Sequence, residues 1–184
     1  MRRVSVIPLV SLALLAAFTV AECSPPREAG QAVPGNALAT DGVQSSGTVG
    51  TEHARVGEIW YFALPVPNNT SSTPIAITKV SVLHIPAGIK VLGYGAYDLN
   101  DTEGLPLPAK EGETYTPDFA RLKNYATKPL KVPAGKGGDI FYLAKMRITA
   151  PPKETVRECR FEYEQGGRTY VQTLDCELEL KVAE

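Results

Sequence analysis

Histidine occurs twice in the 184 residues, at His53 and His84, cysteine three times and tryptophan once. A zinc or copper centre draws several ligands from His and Cys, so this inventory argues against one. Met146 is the one methionine after the initiator, which argues equally against a Met- and His-rich copper site. No G-x-S-x-G elbow is present. His84 is the one plausible base for a Ser–His–acid triad, because His53 sits at the edge of a polar stretch. No residue is assigned to catalysis, and no cofactor is implied. Charge of one sign is lacking too: the formal net is -1, and without Arg2, Arg3 and Glu22 it is -2. There is no basic stripe with interleaved aromatics to bind nucleic acid, and no polybasic cluster for anionic lipid.

What is present begins with MRRVSVIPLVSLALLAAFTVAEC. Arg2 and Arg3 form a charged n-region, Val4 to Ala21 is uncharged and mostly apolar, and small residues approach a cleavage site. Residues 1–22 therefore read as a signal segment. Three outcomes stay open. Val20, Ala21, Glu22 and Cys23 resemble the end of a bacterial lipoprotein signal, which implies lipid attachment at Cys23. Glu22 departs from that motif, where a small residue is expected. A conventional cut after Ala21 would release a secreted chain. An uncleaved segment would anchor the chain, since about 18 residues is near the lower limit for a membrane span. The cysteine count bears on the choice. If Cys159 and Cys176 pair, Cys23 is left over in an exported chain, and a lipid would account for it.

Residues 23–54 are rich in Gly, Pro, Ser, Thr and Ala and show no apolar period. They read as a flexible linker. From Arg55 to the end the texture changes to short, often alternating apolar runs divided by turn residues. Ile75, Ile77, Val80 and Val82 carry a β-branched signature. PAG at 86–88, PAGKGG at 133–138 and QGG at 165–167 mark turns. About eight strands and no helix are expected, which fits an antiparallel β-sandwich over residues 55–184.

The closing hairpin, RECRFEYEQGGRTYVQTLDCELEL, can be read residue by residue. Cys159, Phe161 and Tyr163 share one face; Leu174, Cys176, Leu178 and Leu180 share one face of the next strand. A turn centred on Gly167–Arg168 sets Cys159 opposite Cys176 as a close, non-hydrogen-bonded pair that suits a disulfide. It also opposes Arg160 to Asp175 and, less favourably, Glu158 to Glu177. A turn on Gly166–Gly167 shifts the cysteines to a diagonal.

Few stretches carry chemistry. Asp98, Asn100, Asp101 and Glu103 form the densest oxygen-donor loop and are weak calcium candidates, since the EF-hand order fails at Thr102 and Glu103. The carboxylates Glu162, Glu164, Asp175, Glu177 and Glu179 fall on the polar faces of strands and read as a solvated sheet surface. Trp60 and Phe62 alternate with Tyr61, so Trp60 is expected in the core and Tyr61 outward. Segment 98–118 is the longest polar connection and the best place for a binding loop. Asn68, Asn69 and Asn100 each begin an N-x-[ST] triplet, a surface mark only in a eukaryotic chain.

Two stretches, TSSTPIAITKVSVLHIPAGIKV and KPLKVPAGKGGDIFYLAKM, resemble the immunoglobulin-like β-sandwiches of bacterial envelope proteins. The resemblance implies architecture rather than activity. The expectation is an extracytoplasmic, non-enzymatic interaction module of about seven or eight strands. It would be tethered to the membrane through lipid on Cys23, and its partner would be an envelope or extracellular protein or a small ligand. The alternative is a small secreted enzyme or ligand carrier using segment 98–118. A deep pocket with a perturbed acid would favour the second, and a closed core with flat sheet faces the first.

Overall fold

A computed structural model describes residues 32–41 and 48–183. The signal segment, Cys23 and linker residues 24–31 and 42–47 lie outside them. Among the described residues no helix is long and apolar enough to cross a membrane. The elements are all strands apart from two single 3-10 turns at Leu99–Asp101 and Tyr125–Thr127. In chain order the strands are β1 (Val33–Pro34), β2 (Thr48–Ala54), β3 (Ile59–Ala63), β4 (Asn68–Asn69), β5 (Ile75–His84) and β6 (Ile89–Asp98). After the long connection and its short strand β7 (Ala109–Lys110) come β8 (Leu130–Val132), β9 (Lys136–Gly137), β10 (Ile140–Ile148), β11 (Val156–Gln165) and β12 (Arg168–Val182).

Two sheets form. One runs β1-β12-β11-β5-β8, with β2 also on β12; the other runs β6-β10-β3-β7; β4 and β9 make a separate ribbon. The pairings are antiparallel except those of β1 and β2, which run parallel to β12. Period-two alternation explains the layering. Ile75, Ile77, Val80 and Val82 from β5 and Cys159, Phe161 and Tyr163 from β11 meet Trp60, Phe62, Tyr142, Met146 and Ile148 from the other sheet. Trp60 is thus a core residue, as expected. A single row of inward side chains on each sheet suffices to close such a core.

Two expectations are corrected. The linker does not extend to residue 54: residues 33–41 and 48–54 are built into the sandwich. Val33 and Pro34 pair with Tyr170 and Val171, and Leu38, 2% exposed, joins the core. The Leu38 amide donates to Gln172 Oε1 at 2.9 Å, and Gln172 Nε2 donates back to the Leu38 carbonyl at 2.7 Å. Ala37 N donates to the Tyr163 hydroxyl at 3.0 Å. The segment is polar because its backbone, more than its side chains, makes the contacts.

The second correction is hairpin register. The turn sits on Gly166–Gly167, both with positive φ (56° and 77°), as a type I′ turn demands. Tyr163 then faces Tyr170, and Cys159 faces Leu174 rather than Cys176. The register slips at Glu158, which adopts a left-handed φ of 63° and faces two residues of β12, Asp175 and Cys176, across a bulge in that strand. The bulge brings Cys176 to within 5.8 Å (Cα–Cα) of Cys159, and the two form a disulfide. It also places Arg157, not Glu158, opposite Glu177. A like-charge pair is thereby replaced by an opposite-charge one.

Asn69, which begins one of the N-x-[ST] triplets, does not lie at the surface. It is fully buried, and its amide ties the β4 ribbon to β8.

Candidate functional site

The outer face of the β6-β10-β3-β7 sheet carries a second apolar layer. Residues 61 and 63 of β3, 141, 143 and 145 of β10, and 93, 95 and 97 of β6 point away from the main core. Tyr61, Ala63, Tyr97, Phe141 and Leu143 cluster there with Phe119 of the long connection. Tyr61 faces outward from its sheet, as the alternation predicts, yet is only 5% exposed because that connection folds over it. Phe119 is the clasp. Its ring lies 4.6 Å from that of Tyr61 and 4.8 Å from that of Tyr97, both tilted. Such pairs add roughly 0.5–1.5 kcal/mol each beyond area burial. Locally, Asp118 Oδ1 accepts from Ala120 N at 3.2 Å and the Asp118 carbonyl accepts from Arg121 N, turning the chain so that Phe119 points inward.

A polar latch sits beside the clasp. β7 pairs with β3, which brings Glu111 over the sheet. Glu111 Oε1 accepts from the Tyr61 hydroxyl at 2.7 Å and from Lys145 Nζ at 2.6 Å. The Lys145 bond first, then that of Tyr61, holds the Glu111 carboxyl below the usual carboxylate range. Burial, then the Glu111 carboxylate, pushes the Tyr61 phenol well above the ordinary phenol range. Glu58 loses hydration by burial, but bonds from Arg55 N, Trp60 Nε1 and Lys110 outweigh that and lower its pKa. Glu111 at this face, and Glu58 beside Trp60 on the opposite one, are therefore poised to stay ionised, which does not suit a general acid at neutral pH.

Between the sheet and the clasp lies a cleft of about 190 Å³, lined by Tyr61, Leu92, Gly93, Tyr94, Gly95, Tyr97, Phe119, Ala120, Leu143 and Lys145. Two glycines on one face of a strand interior weaken the strand, so they point to close approach by something. At Gly95 the neighbour is known: a β-carbon there would meet Tyr97 Cε2 at 2.6 Å. At Gly93 there is open space, with nothing within 4 Å of a β-carbon. Leu92, the extra residue of a bulge against β10, is turned to the cleft and stays 39% exposed. The Tyr97 hydroxyl, close over Gly95, donates to no group among the described residues.

The expected sites fare differently. Segment 98–118 does cover the sheet, and its own residues enclose a larger, open hollow of about 610 Å³. That hollow is walled almost wholly by the loop, whereas the 190 Å³ cleft is floored by strands and so is better fixed. Tyr115 at the loop tip is 97% exposed. Of the weak calcium candidates Asp98, Asn100, Asp101 and Glu103, the first two are joined by local hydrogen bonds. Asp98 Oδ1 caps the 3-10 turn by accepting from Asn100 N and Nδ2 at 2.9 and 2.8 Å. No grouping of three or more His, Cys, Asp and Glu among the described residues is arranged to hold a metal. His84 ends β5 with Nδ1 3.1 Å from Glu158, on the other sheet. The carboxylates Glu162, Glu177 and Glu179 engage Lys79, Thr48 and Lys181 respectively along their sheet's surface. Sequence reasoning missed the cleft; its one legible signal was G-Y-G at 93–95 inside a strand. No family model, curated protein or solved structure matches the chain.

Proposed function

We propose that this chain is a non-enzymatic, extracytoplasmic binding module, lipid-tethered at Cys23, whose immunoglobulin-like sandwich binds a partner at the cleft over Gly93. The unfilled floor at Gly93, in a face otherwise packed with aromatics, carries the reading. Strand order supports the immunoglobulin-like assignment: β2, β12, β11 and β5 lie in one sheet, β3, β10 and β6 in the other. The disulfide joins neighbours in one sheet, unlike the inter-sheet bridge of antibody domains. The ionised acids and the distance of His84 from the cleft favour binding over acid–base chemistry.

The tether is shorter than the sequence implied. Val33 already pairs in the sheet, so the chain from Cys23 to Val33 spans at most about 35 Å when extended. The Gly166–Gly167 end of the sandwich, beside Val33, is the leashed end. Intact mass of membrane-extracted protein, against a Cys23→Ala control, tests the tether. A chain beginning at Cys23 with lipid mass is expected; an unmodified chain beginning at Glu22 would overturn it. For the cleft, Gly93→Val in the folded protein should abolish binding to an envelope extract while Tyr115→Ala at the loop tip does not. The reverse result would move the site to the loop.

A further inference from the structure

The row next to the cleft holds a charge arrangement that folding does not explain. Lys90 on β6 and Arg147 on β10 are directly opposed, both exposed and on the same outer face as Gly93 and Lys145. Neither has a carboxylate partner among the described residues. Glu111, whose carboxylate Arg147 helps to keep ionised, is already held by Lys145 and Tyr61. Like charges directly opposite across a sheet destabilise it, so an anion bridging them would remove a standing cost.

We infer that the cleft takes a small organic anion, its flat apolar body over Gly93 and its carboxylate between Lys90 and Arg147. This rests on the binding-module reading above and names the ligand class of that same site. The register sets the spacing. Gly93 faces Lys145, and Lys90 faces Arg147, two residues on along β10. Two residues of strand advance about 6.5 Å, which a two-carbon spacer between a ring and a carboxylate spans. The body would meet Leu92, Ala120 and the edges of Tyr61 and Tyr97. Arg147 offers the planar fork that matches a carboxylate, and Lys90 a second point charge. The free Tyr97 hydroxyl is left to bond a polar substituent on the body.

The test uses 3-phenylpropionate as probe and 3-phenylpropionamide as its uncharged counterpart, added to the folded domain with amide shifts read by NMR. Saturable shifts at Gly93 and Gly95 are expected with the acid. About tenfold weaker binding is expected with the amide and with the Lys90→Gln/Arg147→Gln double variant, the scale of one lost charge-assisted bond. Affinity should also fall as salt rises from low to physiological. Gly93→Val should block both probes. Equal binding of acid and amide at Gly93 would overturn the anion assignment while leaving the cleft as a site. No shift at Gly93 with either probe would overturn both. A peptide ending in a free C-terminal phenylalanine forms a further arm: tighter binding than the free acid assigns the carboxylate to a chain terminus, weaker binding to a small metabolite, and both support an anion site.

Discussion

Replacing Asn69 by alanine should cost about 3 kcal/mol of stability. The side chain has no exposure and touches five polar groups. The two Nδ2 hydrogens are shared among the carbonyls of Thr73 at 2.9 Å, Val132 at 3.3 Å and Pro133 at 3.1 Å. Oδ1 accepts from Ser71 N at 3.0 Å and Ser71 Oγ at 2.7 Å. Each such bond is worth roughly 1 kcal/mol net, and more where the orphaned partner stays dry. Only the Val132 bond is fully buried; the groups at the other four can recover some water, which brings the sum down to about 3. Against a total of roughly 5–15 kcal/mol that is a large share, and Tm should fall by about 6–12 °C. Urea unfolding followed by the fluorescence of Trp60, the one tryptophan and a core residue, measures it. Asn68→Ala, next door and exposed, should stay within about 0.5 kcal/mol. Asn69→Asp sharpens the test. An ionised carboxylate would face three carbonyl oxygens, so the folded state favours its protonated form and its pKa rises above the unfolded value. The penalty is then small below the unfolded pKa, grows as pH rises from the unfolded to the folded pKa, and is full above it. This variant should regain stability relative to the parent between pH 7 and pH 5. A loss under 1 kcal/mol for Asn69→Ala, or a flat pH dependence for Asn69→Asp, would refute the claim that this amide holds β4 to β8.

Removing the disulfide with Cys159→Ala/Cys176→Ala closes no loop in the unfolded chain and should cost about 3 kcal/mol from chain entropy over a separation of 17 residues; chemical denaturation of oxidised and variant protein compares the two. Leu38→Ala, in the segment expected to be linker, should lose about 2–4 kcal/mol as a buried leucine, whereas a true linker residue would lose none. Alkaline titration at 295 nm should show Tyr61, Tyr97 and Tyr142 ionising late, because burial raises each phenol above its usual value near 10. Since the folded state disfavours the phenolate, stability is full below that value and declines above it; ionisation of these three near 10 in a folded protein would contradict the packing.

The strands were legible where one face meets the core and the other meets water. β5 and β11 are read directly from Ile75, Ile77, Val80, Val82 and Cys159, Phe161, Tyr163. Legibility failed where backbone rather than side chain does the binding. Residues 33–41 look like linker because Gly35, Asn36 and Ala37 carry no periodic apolar signal, yet their amides and carbonyls are answered by Val171, Tyr163, Thr70 and Gln172. Register in the closing hairpin was undecidable from local pattern. Both turns keep the same residues inside, and the choice between them turns on Glu158. A two-glycine I′ turn matches strand twist better than one with Arg168 in a central place. Its cost is a diagonal cysteine pair, and the bulge opposite Glu158 removes that cost while opposing Arg157 to Glu177.

The same logic explains why the cleft escaped notice. A site made of absent side chains leaves little trace in composition, and Gly93 and Gly95 look like punctuation in a Pro- and Gly-rich chain. Only the register separates them. Gly95 is filled by its own neighbour Tyr97, so its smallness is accounted for within the fold. Gly93 is not, and it sits one row from two opposed cations. A valine at Gly93 would favour the strand and cover apolar surface, so folding alone gives no reason to keep the position empty. If Gly93→Val raises stability while abolishing probe binding, the vacancy serves binding at a cost to the fold. If it lowers stability instead, Gly93 is a packing requirement and the case for the cleft loses its foundation.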